Sequence, residues 1–339
     1  MSMQSEILGA TTGSTAQTMS YREAIRTALA DELHVDSSVV FLGEDIGAAG
    51  GPFKTSEGLL EEFGPTRIID TPIAENGFVG AALGMSVTGM RPVVEIMFAD
   101  FLPSAGDALI NEIPKFRFMS GGQTDVPLTV RAIGGATGRF GAQHSATGES
   151  WFLQVPGLLV VTASSPAAAY GLLRTAIRSN DPVLFVEHKA LYARKGPVDR
   201  MAPLPEVGRA VTMRHGTDVT IVATLLMVQR ALEAAEALAA EGIDAEVIDL
   251  RWITPLDLET VRTCVQRTDR LIVAEEQVHP GGWGATLISL LAQEGLPENT
   301  MPRAVSLPNA PLAYSPPLED VAVPDATRIA ATVRAMLEE

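Results

Sequence analysis

The sequence predicts an α/β protein built of two doubly wound, mostly parallel α/β domains. Three observations carry this. Short apolar runs recur without alternation, as strands do when helices cover both faces of a parallel sheet. Helical stretches lie between these runs, and alternating strand and helix is the pattern of crossover-connected sheets. The 339 residues, 46% hydrophobic and 19% charged, have ordinary globular composition and a length that suits about two domains.

The elements follow in order. Residues 1–19 have neither a basic start nor a long apolar core and read as a flexible tail rather than a targeting segment. Ser20 with Glu23 forms a capping box that opens a helix to about Leu33. "SSVVFLGED" (37–45) reads as a strand whose end carries Glu44 and Asp45. "RIID" (67–70), "RPVVEIMF" (91–98), "VPLTVRAIG" (126–134), "GLLVVTA" (157–163) and "DPVLFVEH" (181–188) read as further strands. Residues 164–179 form a helix with a serine cap and Pro166 in its first turn. Residues 192–210, rich in Pro, Arg and Gly, read as a linker between a domain at 20–191 and a second at 211–339. In the second, strands are expected at 218–224, 244–250, 270–276 and 303–308, with helices at 225–242, 256–267, 281–295 and 325–339.

Composition narrows the function. A net charge of −16 and a pI near 4.8 argue against nucleic acid or an anionic membrane as partner. A single cysteine, Cys264, excludes an internal disulfide and suits a reducing, cytoplasmic setting. The apolar runs are too short to span a bilayer. No dinucleotide fingerprint, P-loop, serine elbow or zinc spacing is present.

Three places hold candidate chemistry. "GEDIGAAGG" (43–51) is either an anion cradle or an ordinary strand-to-helix turn. "DTPIAENGFVGAALG" (70–84) places Glu75 among small and apolar residues that are expected to be buried. Its carboxylate is either stabilised by a helix N-terminus or paired with a buried basic group outside this stretch. His144 lies in "GGATGRFGAQHSATGES" (134–150), a Gly-, Ser- and Thr-rich loop suited to a histidine that moves protons. His188 ends a strand and reads as lining a cleft at the strand C-termini.

The combination is more specific. "DTPIAENGFVGAALG", "RPVVEIMFADF", "PKFRFMSGGQ", "GAQHSATGES", "PGLLVVTASSPAAAYGLLRTAIRSNDPVLFVEHKALY" and "EVIDLRWITPLD" occur in this order. Together they closely resemble the beta subunit of the thiamine-diphosphate-dependent, decarboxylating component of 2-oxo acid dehydrogenase complexes, from about Tyr21 to the C-terminus. "EHKALY" and "MFADF" bring it nearest to the pyruvate and acetoin dehydrogenase branches.

The resemblance implies a transketolase-like pyrimidine-binding domain followed by a transketolase C-terminal domain. It implies a heterotetramer of two alpha and two beta chains, which hands an acyl group to the lipoamide of an acyltransferase core. Thiamine diphosphate is then shared across the alpha–beta interface, with its Mg2+ held by a Gly-Asp-Gly…Asn motif of the alpha subunit. No Gly-Asp-Gly occurs in this chain, whose Gly106-Asp107 is followed by Ala-Leu, so the chain is expected to be inactive alone.

The resemblance also assigns residues. Glu75 matches the glutamate that binds the aminopyrimidine ring nitrogen and so favours the imino form of the cofactor. Ile73, Met97 and Phe101 match its apolar neighbours. His144 matches the active-site histidine of the beta subunit, although this chain continues Ser145-Ala146 where the family has Ser-Gln. Backbone carbonyls of Val126, Leu128, Thr129, Ala176, Ser179 and Asp181 match a potassium site of some members. "EEQVHPGGWG" (275–284) reads as support for subunit packing or docking rather than chemistry. Two other readings are the C-terminal half of a split transketolase-like enzyme and a non-catalytic α/β scaffold.

Overall fold

Fourteen strands appear in the computed structural model, which describes residues 16–297 and 300–338. The first eight are β1 (Gln17–Ser20), β2 (Val39–Gly43), β3 (Ile68–Asp70), β4 (Arg91–Ile96), β5 (Thr129–Gly134), β6 (Leu159–Thr162), β7 (Val183–His188) and β8 (Lys195–Val198). The rest are β9 (Val211–Arg214), β10 (Val219–Ala223), β11 (Ala245–Asp249), β12 (Trp252–Thr254), β13 (Leu271–Val278) and β14 (Arg303–Leu307). The larger sheet has the order β12-β6-β7-β5-β4-β2-β3 and is parallel except for β12. The second has the order β14-β13-β10-β11-β9 and is parallel except for β9.

Helices flank both sheets. They are α1 (Tyr21–Val35), α2 (Leu59–Phe63), α3 (Glu75–Val87), α4 (Ile113–Met119), α5 (Pro166–Arg178), α6 (Leu225–Ala239), α7 (Leu258–Thr268), α8 (Trp283–Glu294), α9 (Pro316–Ala322) and α10 (Ala326–Leu337). Successive side chains of a strand point to opposite faces. Phe41, Val93 and Phe185 therefore pack on one side with Ile25 and Leu29 of α1 and Leu172 of α5. Val40, Val94 and Leu184 pack on the other with Phe78 and Val79 of α3. This double covering explains why the strands read as continuous apolar runs. The capping box forms as expected, with Ser20 Oγ accepting from Glu23 N (3.2 Å) and Glu23 Oε2 accepting from Ser20 N (2.6 Å).

Two expectations change. Of the expected tail, residues 1–15 lie outside the described residues, but Gln17–Ser20 form β1, paired antiparallel with β8. Backbone pairing thus orders both the end of the tail and part of the expected linker. The second departure is β12, which the sequence does not announce. It follows β11 of the second sheet yet adds to the edge of the first, with Trp252 opposite Val161 and fully buried. Three residues are too few to leave a readable period.

Because β2 to β7 of the large sheet are parallel, the loops leaving β2, β3, β4, β5 and β7 all emerge at one edge.

Candidate active site

That carboxyl edge collects the chemistry. Across the sheet it presents Lys189 after β7, His144 in the loop after β5, Met97, Phe98 and Phe101 after β4, Glu44 after β2 and Glu75 after β3. Ligands of open α/β sheets bind outside this edge.

On the His144 side the loop is held from both halves of the chain. Gly135 opens it with φ +96, and a Cβ there would collide with the ring of His188, so only glycine fits. Glu276 of β13 accepts from Ala136 N and pairs with His188 Nε2 (2.9 Å). Glu319 of α9 accepts from Thr137 N (3.1 Å) and from Arg139 Nη1 (2.5 Å). Gln277 Nε2 donates to Thr147 Oγ1. From the first half, Asp100 accepts from Ala146 N (3.2 Å), and Lys189 Nζ donates to the carbonyl of His144 (2.5 Å). The His144 imidazole meets the rings of Phe98 and Phe101 edge-on, with centroids 4.7 and 5.4 Å away.

His188 is therefore fully buried and paired with Glu276, and it does not line a cleft. The second half is also richer in polar groups than its sequence announced. Glu149, five residues past His144, is buried with one carboxylate oxygen unpartnered. Burial pushes its carboxyl up to about 7, a hydrogen bond from Thr147 opposes this, and Glu276 and Glu275 add to it. Ala146, Trp151, Gln277 and Leu312 line an open cavity of about 320 Å³.

The Glu75 side is different. Glu75 is the first residue of α3, half-buried, and makes no side-chain hydrogen bond to any described residue. Its neighbour Glu44 is 7% exposed with one oxygen unpartnered. Burial raises the Glu44 carboxyl above its usual range, and the charges of Glu75 and Asp45 raise it further. The expectation that the whole 70–84 stretch is buried does not hold. Phe78, Val79, Ala82 and Leu83 turn inward, but Ile73 is 83% exposed, and a Cβ on Gly80 or Gly84 would meet open space. Small residues permit close approach, but which surface approaches is a tertiary matter. The glycine-rich 43–51 loop is an ordinary turn, since its Gly47 N–H already donates to the carboxylate of Asp70 (2.7 Å).

Val126, Leu128 and Asp181 precede their strands, Thr129 begins β5, Ala176 lies in the last turn of α5 and Ser179 caps it, so the six potassium candidates lie at the opposite, amino edge. There Arg91 Nη1 donates to the carbonyl of Ser179 (2.9 Å), and the Asp181 carboxylate pairs with Arg117 (2.7 Å). Among the described residues no three His, Cys, Asp or Glu side chains cluster as metal ligands, and no helix is long and apolar enough to cross a membrane.

Of the residues singled out from the sequence, Glu75, His144, Met97 and Phe101 lie at this edge. Lys189, Asp100, Glu276 and Glu319, which hold the His144 loop, were not singled out. Glu276 and Glu319 lie more than a hundred residues from the loop they hold, so only "EHKALY" and "MFADF" gave any local sign.

Comparison with known proteins identifies both domains. Residues 17–195 match the transketolase pyrimidine-binding domain and residues 208–329 the transketolase C-terminal domain. The beta subunit of acetoin:2,6-dichlorophenolindophenol oxidoreductase of Cupriavidus necator is 41% identical over 332 residues, covering 94% of this chain and 97% of the relative. The pyruvate dehydrogenase E1 component beta subunit of Rhizobium meliloti is 38% identical, covering 96% of this chain and 71% of the relative. A solved structure described as a split gene transketolase, inactive beta4 tetramer, superposes with a TM-score of 0.76 at 25% identity, covering 94% of this chain and 97% of that one.

Proposed function

The chain belongs to the transketolase-like family of pyruvate and acetoin dehydrogenase beta subunits, and from that premise we propose that it is the beta half of a thiamine-diphosphate-dependent 2-oxo acid or acetoin dehydrogenase. The observation that carries this reading is the carboxylate of Glu75. It stands at the carboxyl edge of a parallel sheet that also carries half-buried Met97 and Phe101, and it makes no side-chain hydrogen bond to any described residue. A carboxylate so placed fits an external hydrogen-bonding group, and the aminopyrimidine of thiamine diphosphate has one in its ring nitrogen.

Glu75 would hold that nitrogen, with Ile73, Met97 and Phe101 giving the ring an apolar bed. When bound, the cofactor supplies the carbon nucleophile and electron sink for cleavage next to the substrate carbonyl. Glu75 keeps a proton at the far end of the pyrimidine, where a low-dielectric site strengthens the bond. His144 accepts and returns a proton on the substrate side, and its packing against Phe98 and Phe101 keeps water from that face.

The diphosphate and its Mg2+ belong to an alpha subunit in a tetramer of two alpha and two beta chains. Exposed Ile73, Phe118 and Met119 supply apolar surface for such an interface. The acyl group passes to a lipoyl acyltransferase core, and the acidic, single-cysteine chain suits the cytoplasm. The amino-edge carbonyls remain the candidates for potassium, which would there steady the α5–β7 turn rather than touch the chemistry.

The split-transketolase reading rests on a 25% likeness and is weaker than relatives at 38–41%. Reconstitution with the alpha subunit tests the proposal. Thiamine-diphosphate-dependent reduction of dichlorophenolindophenol with pyruvate or acetoin is expected, and none with the beta chain alone. Turnover of ketose phosphates only would support the split-transketolase reading, and failure to bind the cofactor in the assembled complex would support a scaffold.

A further inference from the structure

Lys189 is 9% exposed, and among the described residues no carboxylate lies within 4.0 Å of it. A cation rarely stays buried without an ion pair. Its ammonium instead donates to the carbonyl of His144 (2.5 Å) and lies over two rings, 5.0 Å from the centre of Phe140 and 5.7 Å from that of Phe98. The same Phe98 receives the His144 imidazole edge-on at 4.7 Å. Two residues on, Asp100 holds Ala146 N. The main chain is thus gripped at His144 itself and just after it, while the ring beneath the imidazole is shared with the cation.

We propose that Lys189 is a positioning residue for His144. Its ammonium clamps the carbonyl of the active histidine, and Phe98 links that clamp to the orientation of the imidazole. The inference rests on the reading of His144 as active. A charge-assisted bond and a cation–π contact are both stronger in a dry site, and a histidine in a glycine-rich loop needs such help to keep one orientation.

The charged and titratable groups facing the ammonium are Asp100 from the segment after β4, His144 from the loop, Glu276 from β13 and Glu319 from α9. Burial brings the Lys189 ammonium down to about 8, against the pull of Glu276, Asp100 and Glu319. The clamp is therefore charged at neutral pH and weakens as pH rises through that value.

Labelling by diethyl pyrocarbonate, resolved by peptide mass spectrometry, tests the clamp in the full chain assembled with its alpha subunit. His215, whose side chain is 87% exposed, serves as internal reference. Lys189→Met is expected to raise the His144/His215 labelling ratio at pH 7 several-fold, with Lys189→Arg closer to wild type. Wild type should show the same rise between pH 7 and 9, and Lys189→Met should not. Turnover of Lys189→Met should fall about tenfold or more in kcat with little change in KM, as misplacement of a catalytic group does. An unchanged ratio in Lys189→Met overturns the clamp, as does a Lys189→Arg ratio that rises as far as that of Lys189→Met. If Lys189→Met does not assemble, Lys189→Gln takes its place in the same comparison with Lys189→Arg. Labelling needs no turnover, so an inactive wild-type assembly counts against the proposed function and leaves the clamp to be judged separately.

Discussion

The two sides of the carboxyl edge are built differently. Around His144 the described supports reach in from both halves of this chain: Glu276, Gln277 and Glu319 from the second half, Asp100 and Lys189 from the first. Around Glu75 the chain leaves its work unfinished. Among the described residues the carboxylate has no hydrogen-bond partner, Glu44 near it holds a bare oxygen, and Gly80 and Gly84 of α3 face open space. One side is preorganised within a single polypeptide, and the other has the character of half an interface. A site shared between chains, as proposed above, would account for both.

Four measurements can break or sharpen that contrast. The largest expected effect is on catalysis. Glu75→Gln should lower turnover of the assembled enzyme roughly a hundredfold to ten-thousandfold, in the range for a lost proton-handling group. It should leave the urea midpoint of the isolated chain unchanged, because the carboxylate makes no internal bond. Wild-type-like turnover would remove Glu75 from the mechanism.

Glu276→Ala should do the reverse in the isolated chain. It strips partners from Ala136 N and from buried His188, at a cost of roughly 3 kcal/mol for buried polar groups left unsatisfied. Equilibrium urea unfolding reads this directly, and a change below about 0.5 kcal/mol would show that the His144 side is not held as described.

Glu149 gives a pH dependence of defined sign. Its folded-state pKa lies above the unfolded one, so its contribution to stability is fully present below about pH 4.5 and lost as pH rises through about 7. At 1.36 kcal/mol per pKa unit the loss is at most roughly 3 kcal/mol. Glu149→Gln should flatten that part of the stability–pH curve between pH 4.5 and 8. A curve that keeps its slope in the variant would assign it to another group.

A small effect on stability is also expected at Ile73, which is 83% exposed. Ile73→Glu should move the isolated chain's unfolding by no more than about 0.5 kcal/mol yet weaken assembly with the alpha subunit. Sedimentation of the mixture checks this, and unimpaired assembly would take Ile73 out of the interface.

Much of the fold was legible. The strands from β2 to β7 and the capping box of α1 follow from apolar runs and a Ser-x-x-Glu pattern, which are local properties. β1, β8, β9 and β12 were not legible, because these three- or four-residue strands lack the continuous apolar runs that marked β3 and β6 and pair with distant segments. At the site, Glu75 and His144 were visible as isolated polar groups in small-residue surroundings. His188 was misread as cleft-lining because its partner, Glu276, lies 88 residues away.

The sequence by itself determined the α/β class, the strand–helix order and which residue types could do chemistry, since these depend on composition and short-range periodicity. Only the tertiary structure decided that Glu75 stands open while His144 is locked. Exposure and pairing depend on which distant segments pack together, and β13 and α9 of the second half reach the His144 loop while no described segment covers α3 at Gly80 and Gly84.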